Sequence, residues 1–173
     1  MKNLHAHARV TMAGLLLALS ALLAPALAAA EGPPNRTGWV ANFTPVLILA
    51  HGDDRFGGGA DPEVRYCLDL GGVRVSAGAR VGVYYAKNVL GVTAMPTLRL
   101  TVPVGRVEPY LAAGMGYGWE TESGYSNLAT MSRGGFVYRF SKGFSAGLEA
   151  TYQKIEGSEH RFWSFGSAMA FGF

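Results

Sequence analysis

Apolar and polar residues alternate along two segments within the last thirty residues of the chain. Apolar and aromatic side chains take every second position from Phe144 to Tyr152, with glycine, hydroxyl and carboxylate groups between them. The same alternation resumes from Trp163 to Phe171. A period of two residues is typical of a β-strand with two unlike faces and differs from the 3.6-residue period of a helix. This stretch therefore predicts a β-hairpin.

The preceding residues repeat the pattern, and no stretch of useful length has a helical period. Each segment is about 10 to 14 residues long, the length that a tilted strand needs to cross a bilayer and about twice that of an ordinary strand. We therefore predict an all-β chain of eight antiparallel strands. The predicted strands are 39–50, 61–70, 73–85, 92–102, 106–119, 128–140, 144–155 and 161–173.

The apolar face of these segments carries aromatic residues near the strand ends. Two aromatic girdles flanking a band of Val, Leu and Ala are typical of a lipid-facing exterior. A soluble lipocalin-type barrel would instead put its largest apolar groups inside. We therefore expect a closed transmembrane barrel. The predicted girdle residues are Trp39, Tyr85, Trp119, Phe140, Phe144, Tyr152 and Trp163.

The predicted connections alternate in length. Short turns at 71–72, 103–105 and 141–143 contrast with longer, more polar stretches at 51–60, 86–91, 120–127 and 156–160. This pattern predicts an up-and-down barrel with short periplasmic turns and longer outer loops. Pro45, Pro96 and Pro109 fall inside predicted strands, where each should mark a bulge, a strand end or a misplaced boundary because proline cannot donate to a ladder.

The first 30 residues have the features of a cleaved signal peptide. Lys2 and Arg9 are positively charged, residues 13–24 are apolar, and Ala28 to Ala30 offer a small-residue cleavage site. An uncleaved membrane anchor is the alternative. We expect residues 31–173 to form one outer-membrane β-barrel domain, exported to the outer membrane of a Gram-negative bacterium.

Charge and cysteine content narrow the possible functions. The whole chain has a formal charge of +3, and loss of Lys2 and Arg9 with the signal peptide leaves +1. Such a weak positive charge argues against nucleic-acid binding. Cys67 is the only cysteine, so it forms no intramolecular disulfide, and no residue spacing suggests a metal site. No cofactor is expected.

One strand resembles a known family. The run Glu108-Pro109-Tyr110-Leu111 leads into Gly114-Met115-Gly116-Tyr117-Gly118, and it resembles the Pro-Tyr and alternating-glycine strand of small OmpA-like and OmpX-like outer-membrane barrels. Phe173, with Phe171, resembles the terminal aromatic signal that such proteins present to the barrel assembly machinery. The resemblance implies a fold and an export route. It does not imply an activity, since small barrels host many functions.

Nearly every charge within a strand falls on the polar face, which would line the lumen. Carboxylates and guanidinium groups buried together are tolerable as pairs, and the glycines on this face leave room for long side chains. We therefore predict a lumen filled by ion pairs, with Glu149 close to Arg133 across the hairpin. The predicted network comprises Arg65, Arg74, Arg80, Arg99, Arg133, Arg139, Glu63, Asp69, Glu108 and Glu149.

Catalytic residues are scarce. After residue 30 the histidines are His51 and His160, both in predicted outer loops, with Asp53 and Asp54 near the first and Ser158, Glu159 and Ser164 near the second. A serine, histidine and acid at the outer rim would suit hydrolysis of lipid A acyl chains, as in lipid A deacylase barrels. The His-x-Ser order of those enzymes is absent, because Arg161 and Phe162 follow His160. We therefore predict a protein that is not an enzyme.

Basic residues near the loops suggest a lipid partner. Arg55, Lys87, Lys154 and Arg161 could contact lipopolysaccharide phosphates, and Arg161 is best placed because it alternates with Trp163 on the lipid face. Ordinary solvated charge is the alternative. The expected partners are outer-membrane lipid, lipopolysaccharide and the assembly machinery, and the expected state is a monomer. The expected role is structural, envelope-associated or surface-interacting; a small gated pore and a lipid A hydrolase are the alternatives.

Overall fold

Eight long strands make up almost all of the described structure. The structure is a computed structural model that describes residues 37–51, 55–86, 89–121, 126–157 and 161–172. Within these ranges no helix is long and apolar enough to cross a membrane. The strands are β1 (Gly38–His51), β2 (Arg55–Asp69), β3 (Arg74–Ala86), β4 (Val89–Thr101), β5 (Val107–Glu120), β6 (Ser126–Arg139), β7 (Phe144–Ile155) and β8 (Arg161–Gly172).

The strands form one closed antiparallel barrel in chain order, and β1 pairs with β8. Following the paired residues once around the barrel from Val40 leads back to Ala50, ten residues further along β1. Such a stagger means that the strands are tilted against the barrel axis. The predicted eight-stranded antiparallel barrel is confirmed.

The two faces of each strand differ as their alternation predicts. In β4, Arg99 is 4% exposed and Thr97 is also buried, whereas the neighbouring Leu98 is 64% exposed. In β1, whose register the sequence defines least because four apolar residues follow one another from Val46, the inward residues are Val40, Asn42, Thr44, Val46 and Ile48. The barrel therefore has a largely polar interior and an apolar exterior.

The predicted difference in connection length is wrong. β2 begins at Arg55, six residues before the predicted start, and β4 begins at Val89. The run Gly57 to Gly59 shows no alternation, yet it pairs with β1 on one side and β3 on the other. The connections at the predicted outer end therefore contain two to five residues, and those at the other end four or five.

The prolines interrupt single ladders without displacing the strands. Pairing is interrupted at Pro45 in the β1–β8 ladder, at Pro62 in the β2–β3 ladder and at Pro96 in the β4–β5 ladder. Each ladder continues in the same register beyond the interruption. The bulge or boundary predicted at Pro45 and Pro96 is therefore wrong, because a strand whose other edge stays paired tolerates a missing donor. Pro109 is the third residue of β5, just beyond the last pair between β4 and β5.

The opposite end of the barrel has tight turns built on glycine. Gly71 and Gly105 have φ angles of 75° and 62°, in the left-handed region that glycine enters most readily. The carboxylate of Asp69 accepts a 3.0 Å hydrogen bond from the Gly71 amide. The predicted signal peptide, residues 1–30, lies outside the described residues.

Candidate functional site

The lumen contains all ten charged residues that the polar face predicted. Arg65, Arg74, Arg80, Arg99, Arg133, Glu63, Glu108 and Glu149 are buried, and Asp69 and Arg139 are partly exposed near the turns. They lie inside because each occupies an inward position of its strand. Their contacts form three clusters along the barrel axis.

The cluster nearest the predicted outer end is centred on Arg80. Its Nη2 lies 2.5 Å from Asp61 Oδ2, with both side chains fully buried, and it also donates to the hydroxyl of Tyr84. Arg80 Nη1 donates to Gln153 Oε1 at 3.1 Å, and the Tyr84 hydroxyl lies 3.0 Å from Asp61 Oδ1 and 2.8 Å from Gln153 Oε1. This cluster joins β2 and β3 to β7 on the opposite wall.

Asp61 and Gln153 are absent from the predicted network. Asp61 is two residues before Glu63 and has the same inward parity, so the alternation itself could have identified it. The predicted network omits it because residue 61 is the first residue of the predicted strand. Gln153 is uncharged, so a prediction based on charge does not identify it.

The middle cluster is centred on Arg133. Its guanidinium lies 3.2 Å from Glu63 Oε2, 3.5 Å from Glu149 Oε1 and 3.8 Å from Asp61 Oδ2. The Glu149 contact is cross-strand and diagonal, since Glu149 is paired with Gly135 and Arg133 with Thr151. One buried guanidinium therefore serves three carboxylates from two walls of the barrel.

Neutral side chains complete this middle cluster. Glu63 accepts hydrogen bonds from Thr97 at 2.6 Å and from Asn42 at 3.2 Å, while Glu149 accepts one from the Tyr110 hydroxyl at 2.5 Å. Such bonds reduce the cost of burying a carboxylate. The two acids therefore do not depend on arginine alone.

Arg99 is held differently from the other lumen arginines. Its guanidinium carbon lies 3.3 Å from the centre of the Tyr110 ring, and its Nε donates to Thr101 at 3.3 Å. A cation over an aromatic face is attracted by the ring quadrupole. The Tyr110 side chain therefore contacts Arg99 through its ring and Glu149 through its hydroxyl.

The third cluster lies at the turn end. Arg74 Nη1 is 3.0 Å from Glu108 Oε2, and Arg139 Nη1 is 3.6 Å from the other oxygen of Glu108. Arg74 also lies 3.7 Å from Asp69, and Arg139 donates to the Gly105 carbonyl at 2.6 Å. These contacts cross the lumen close to the turns.

Apolar residues pack above the Arg80 cluster. Val46, Ile48, Tyr84 and Phe162 form a buried group, in which the rings of Tyr84 and Phe162 are 4.9 Å apart. An eight-stranded barrel is only wide enough for side chains to fill. In the described part of the chain, side chains thus cross the lumen at the outer end, in the middle and at the turn end.

The girdle residues lie on the outer face. Trp39, Tyr85, Trp119 and Trp163 are exposed, and Tyr152 contacts Trp163 with ring centroids 5.1 Å apart. At the turn end the Trp39 and Tyr66 rings are 5.3 Å apart, a contact that the predicted girdle did not include.

Phe144 differs from the other girdle residues because it is only 2% exposed. It packs between Phe140 and Phe171, with ring centroids 5.7 and 5.3 Å away. The prediction that Phe144 contacts lipid is therefore wrong, since neighbouring rings cover it. Phe173 lies outside the described residues.

The structure does not support the outer-rim grouping that included Ser164. Ser164 is buried and points into the lumen, so it is not at the rim, and His51 is the last residue of β1 and not a loop residue. Residues 53, 54 and 158–160 lie outside the described part. The described residues contain no group of three or more His, Cys, Asp or Glu that could hold a metal ion, and the buried Cys67 is a free thiol.

Comparison with known proteins shows that this protein is similar in fold to several solved structures. No protein-family profile matches the chain, and no curated protein matches it. Neisserial surface protein A is similar in structure, with a TM-score of 0.58, 12% identity, and coverage of 83% of this chain and 100% of that one.

Two further structures have the same architecture. Ail, the attachment invasion locus protein of Yersinia pestis, has a TM-score of 0.53 at 14% identity, covering 78% of this chain and 99% of its own. The outer membrane enzyme PagL has a TM-score of 0.52 at 14% identity, covering 77% and 100%. The chain therefore has the fold of the small eight-stranded outer-membrane β-barrels.

Proposed function

We propose that this protein is an outer-membrane barrel with a closed lumen and a structural, envelope-associated role, and that it neither conducts ions nor catalyses a reaction. The observation that carries the proposal is the set of ion pairs and hydrogen bonds that cross the lumen around Arg80, Arg133 and Glu108.

The exterior supports location in a membrane. Leu98, Leu111 and Leu148 are among the large apolar side chains that the outer face exposes, and aromatic residues lie toward both ends. A band of this kind would be unfavourable in water and favourable in lipid. The protein's resemblance in fold to outer-membrane proteins supports the same location.

The short connections support a structural role over recognition of a large partner. The outer end has connections of two to five residues, which are too short to fold into a binding domain. Surface interactions are therefore confined to the strand ends and their rim.

Whole-cell labelling tests the location and the orientation. Single cysteines in a Cys67→Ala background should react with an impermeant maleimide on intact cells at the outer connections and fail to react at the turns. Suitable outer substitutions are Glu122→Cys and Ser158→Cys. Lys142→Cys and Arg106→Cys serve as turn-side controls that avoid the glycines with positive φ. Reaction at position 142 on intact cells would contradict the orientation.

Planar bilayers test the closed lumen. The purified wild-type barrel should show no steady conductance under conditions in which a porin control conducts. Stable, ion-selective steps from the wild-type protein would overturn the closed-lumen proposal in favour of a pore. Mass analysis of lipid A from cells with and without the protein tests the remaining alternative, because a hydrolase would change acyl-chain number.

A further inference from the structure

Two basic residues face each other at the outer end of the β7–β8 ladder. Lys154 is paired with Arg161, and both lie on the outer face. Residues directly opposite on one face have Cβ atoms about 4.5 to 5.5 Å apart, and like charges in that arrangement repel. An anion between the two side chains would relieve this repulsion.

Aromatic rings lie directly beneath this pair of cations. Tyr152 and Trp163 are the next pair on the same face, and their rings are in contact. Two residues along a strand correspond to about 7 Å. Because tyrosine and tryptophan favour the headgroup level of a membrane, insertion of the barrel in a bilayer would place the two cations at the depth of lipid phosphates or slightly outside it.

The same row continues onto the neighbouring strands. Thr130 of β6 is paired with Lys154, and His51 of β1 is paired with Arg161. The backbone register therefore places three basic residues and one hydroxyl residue side by side across four strands. In the row beneath, Leu49 is paired with Trp163 and Tyr152 with Ser132, so three of its four residues are apolar or aromatic.

One acidic neighbour weakens the positive charge. Lys154 Nζ lies 2.8 Å from Glu156 Oε1, and both side chains are partly exposed. A pair in contact with solvent is worth little, so it does not prevent Lys154 from contacting a second anion. It does predict that removal of Glu156 would strengthen anion binding.

From this arrangement we propose that the outer face of β7 and β8 binds the phosphorylated headgroup of an outer-leaflet lipid. Arg161 pairs with phosphate oxygens bidentately, and Lys154 contributes a point charge. The acyl chains lie against Trp163 and the exposed Phe165 below. The occupant is a lipid and not free phosphate because the surface beneath the cations is apolar and faces the bilayer. This inference rests on the proposed membrane location.

Native mass spectrometry of the barrel refolded in a neutral detergent tests the site. The probes are diphosphorylated lipid A and the same lipid with its phosphates removed. The wild-type protein should prefer the phosphorylated form. The double variant Lys154→Gln/Arg161→Gln should lose about fivefold in affinity for each cation removed, with no change toward the dephosphorylated lipid. Glu156→Gln should gain affinity.

A double variant at the other rim provides the matched control. Arg106→Gln/Lys142→Gln removes the same charge from exposed positions at the turn end and should bind as the wild type does. An equal loss of affinity in both double variants would indicate general electrostatics and overturn the site. An unchanged affinity in Lys154→Gln/Arg161→Gln would overturn it as well. Full competition by millimolar inorganic phosphate would overturn a lipid as occupant.

Separate measurements report the folding of each variant and the membrane location of the protein. Far-ultraviolet circular dichroism shows whether each variant has folded, and a tryptophan readout does not depend on ionisation in the spectrometer. In a Trp39→Phe/Trp119→Phe background, Trp163 is the remaining tryptophan, and its emission should change with phosphorylated lipid A alone. Failure of the whole-cell labelling would contradict the membrane location while leaving these affinities interpretable.

Discussion

Removing either member of the Arg80 and Asp61 pair should destabilise the barrel far more than an ordinary surface mutation. Both side chains are fully buried and 2.5 Å apart. Loss of one partner leaves the other charge buried, at a cost of about 3 to 5 kcal/mol. Arg80→Met fills similar volume, and Asp61→Asn keeps the shape of the carboxylate, so neither variant opens a large cavity.

The double variant Asp61→Asn/Arg80→Met should be less unstable than the two single effects combined. The Tyr84 hydroxyl still has Gln153 Oε1 at 2.8 Å as an acceptor after both charges are gone. We expect a coupling energy of about 2 to 3 kcal/mol, at the upper end of values for residues in contact. The remaining cost is that of Arg133, whose Nη2 lies 3.8 Å from Asp61 and loses one carboxylate.

Urea unfolding of the refolded protein in lipid vesicles, followed by tryptophan emission and by circular dichroism, measures these energies. Asp61→Asn combined with the exposed Arg106→Met serves as the control and should be additive within about 0.3 to 0.5 kcal/mol. If Asp61→Asn and Arg80→Met were equally additive, the reasoning that this pair holds the lumen together would be refuted.

Two further predictions use the same assay. Glu149→Gln and Arg133→Met should also couple, by only about 1 kcal/mol. The coupling is small because Arg133 still has Glu63 at 3.2 Å when Glu149 is changed, and Glu149 still has the Tyr110 hydroxyl when Arg133 is changed. A coupling larger than that of Arg80 with Asp61 would contradict the cluster assignment. Gly147→Ala should destabilise by about 1 to 3 kcal/mol because its Cβ would meet backbone atoms of β6, whereas at Gly134 the nearest atom is a leucine methyl group at 3.3 Å. Equal unfolding midpoints for the two alanine variants would show that the close approach at Gly147 is unimportant.

The barrel and its faces could be predicted because lipid on one side and a polar lumen on the other require alternation along every strand. The boundaries of β2 could not, since the hydrogen bonds of Gly57 to Gly59 are made by the backbone and leave no trace in side-chain polarity. The position of Phe144 could not be predicted either, because parity gives the face of a residue and says nothing of which neighbouring rings cover it.

The contacts within the lumen also could not be predicted in full, because they depend on closure of the barrel. The alternation of inward and outward positions along each strand predicts that ten charged residues lie inside. The choice of partners among them depends on the stagger of ten residues around the barrel. Arg133 contacts Glu63 on the far wall as well as Glu149 on the adjacent strand. Only the nearer of these two contacts could be inferred by counting from a turn.

The long sequence separations within the lumen network have a consequence for folding. The hydrogen bond between Arg80 and Gln153 spans 73 residues, and that between Arg133 and Glu63 spans 70. No single hairpin can form these two bonds, so an open sheet can form pairs between neighbouring strands, such as Arg80 with Asp61, but gains none of the energy of the two long-range bonds. A strand inserted one residue out of step would turn its charges toward lipid. Association of β1 with β8 and formation of the bonds across the lumen should therefore occur together, which makes insertion cooperative and slow, and selects one register from the alternatives.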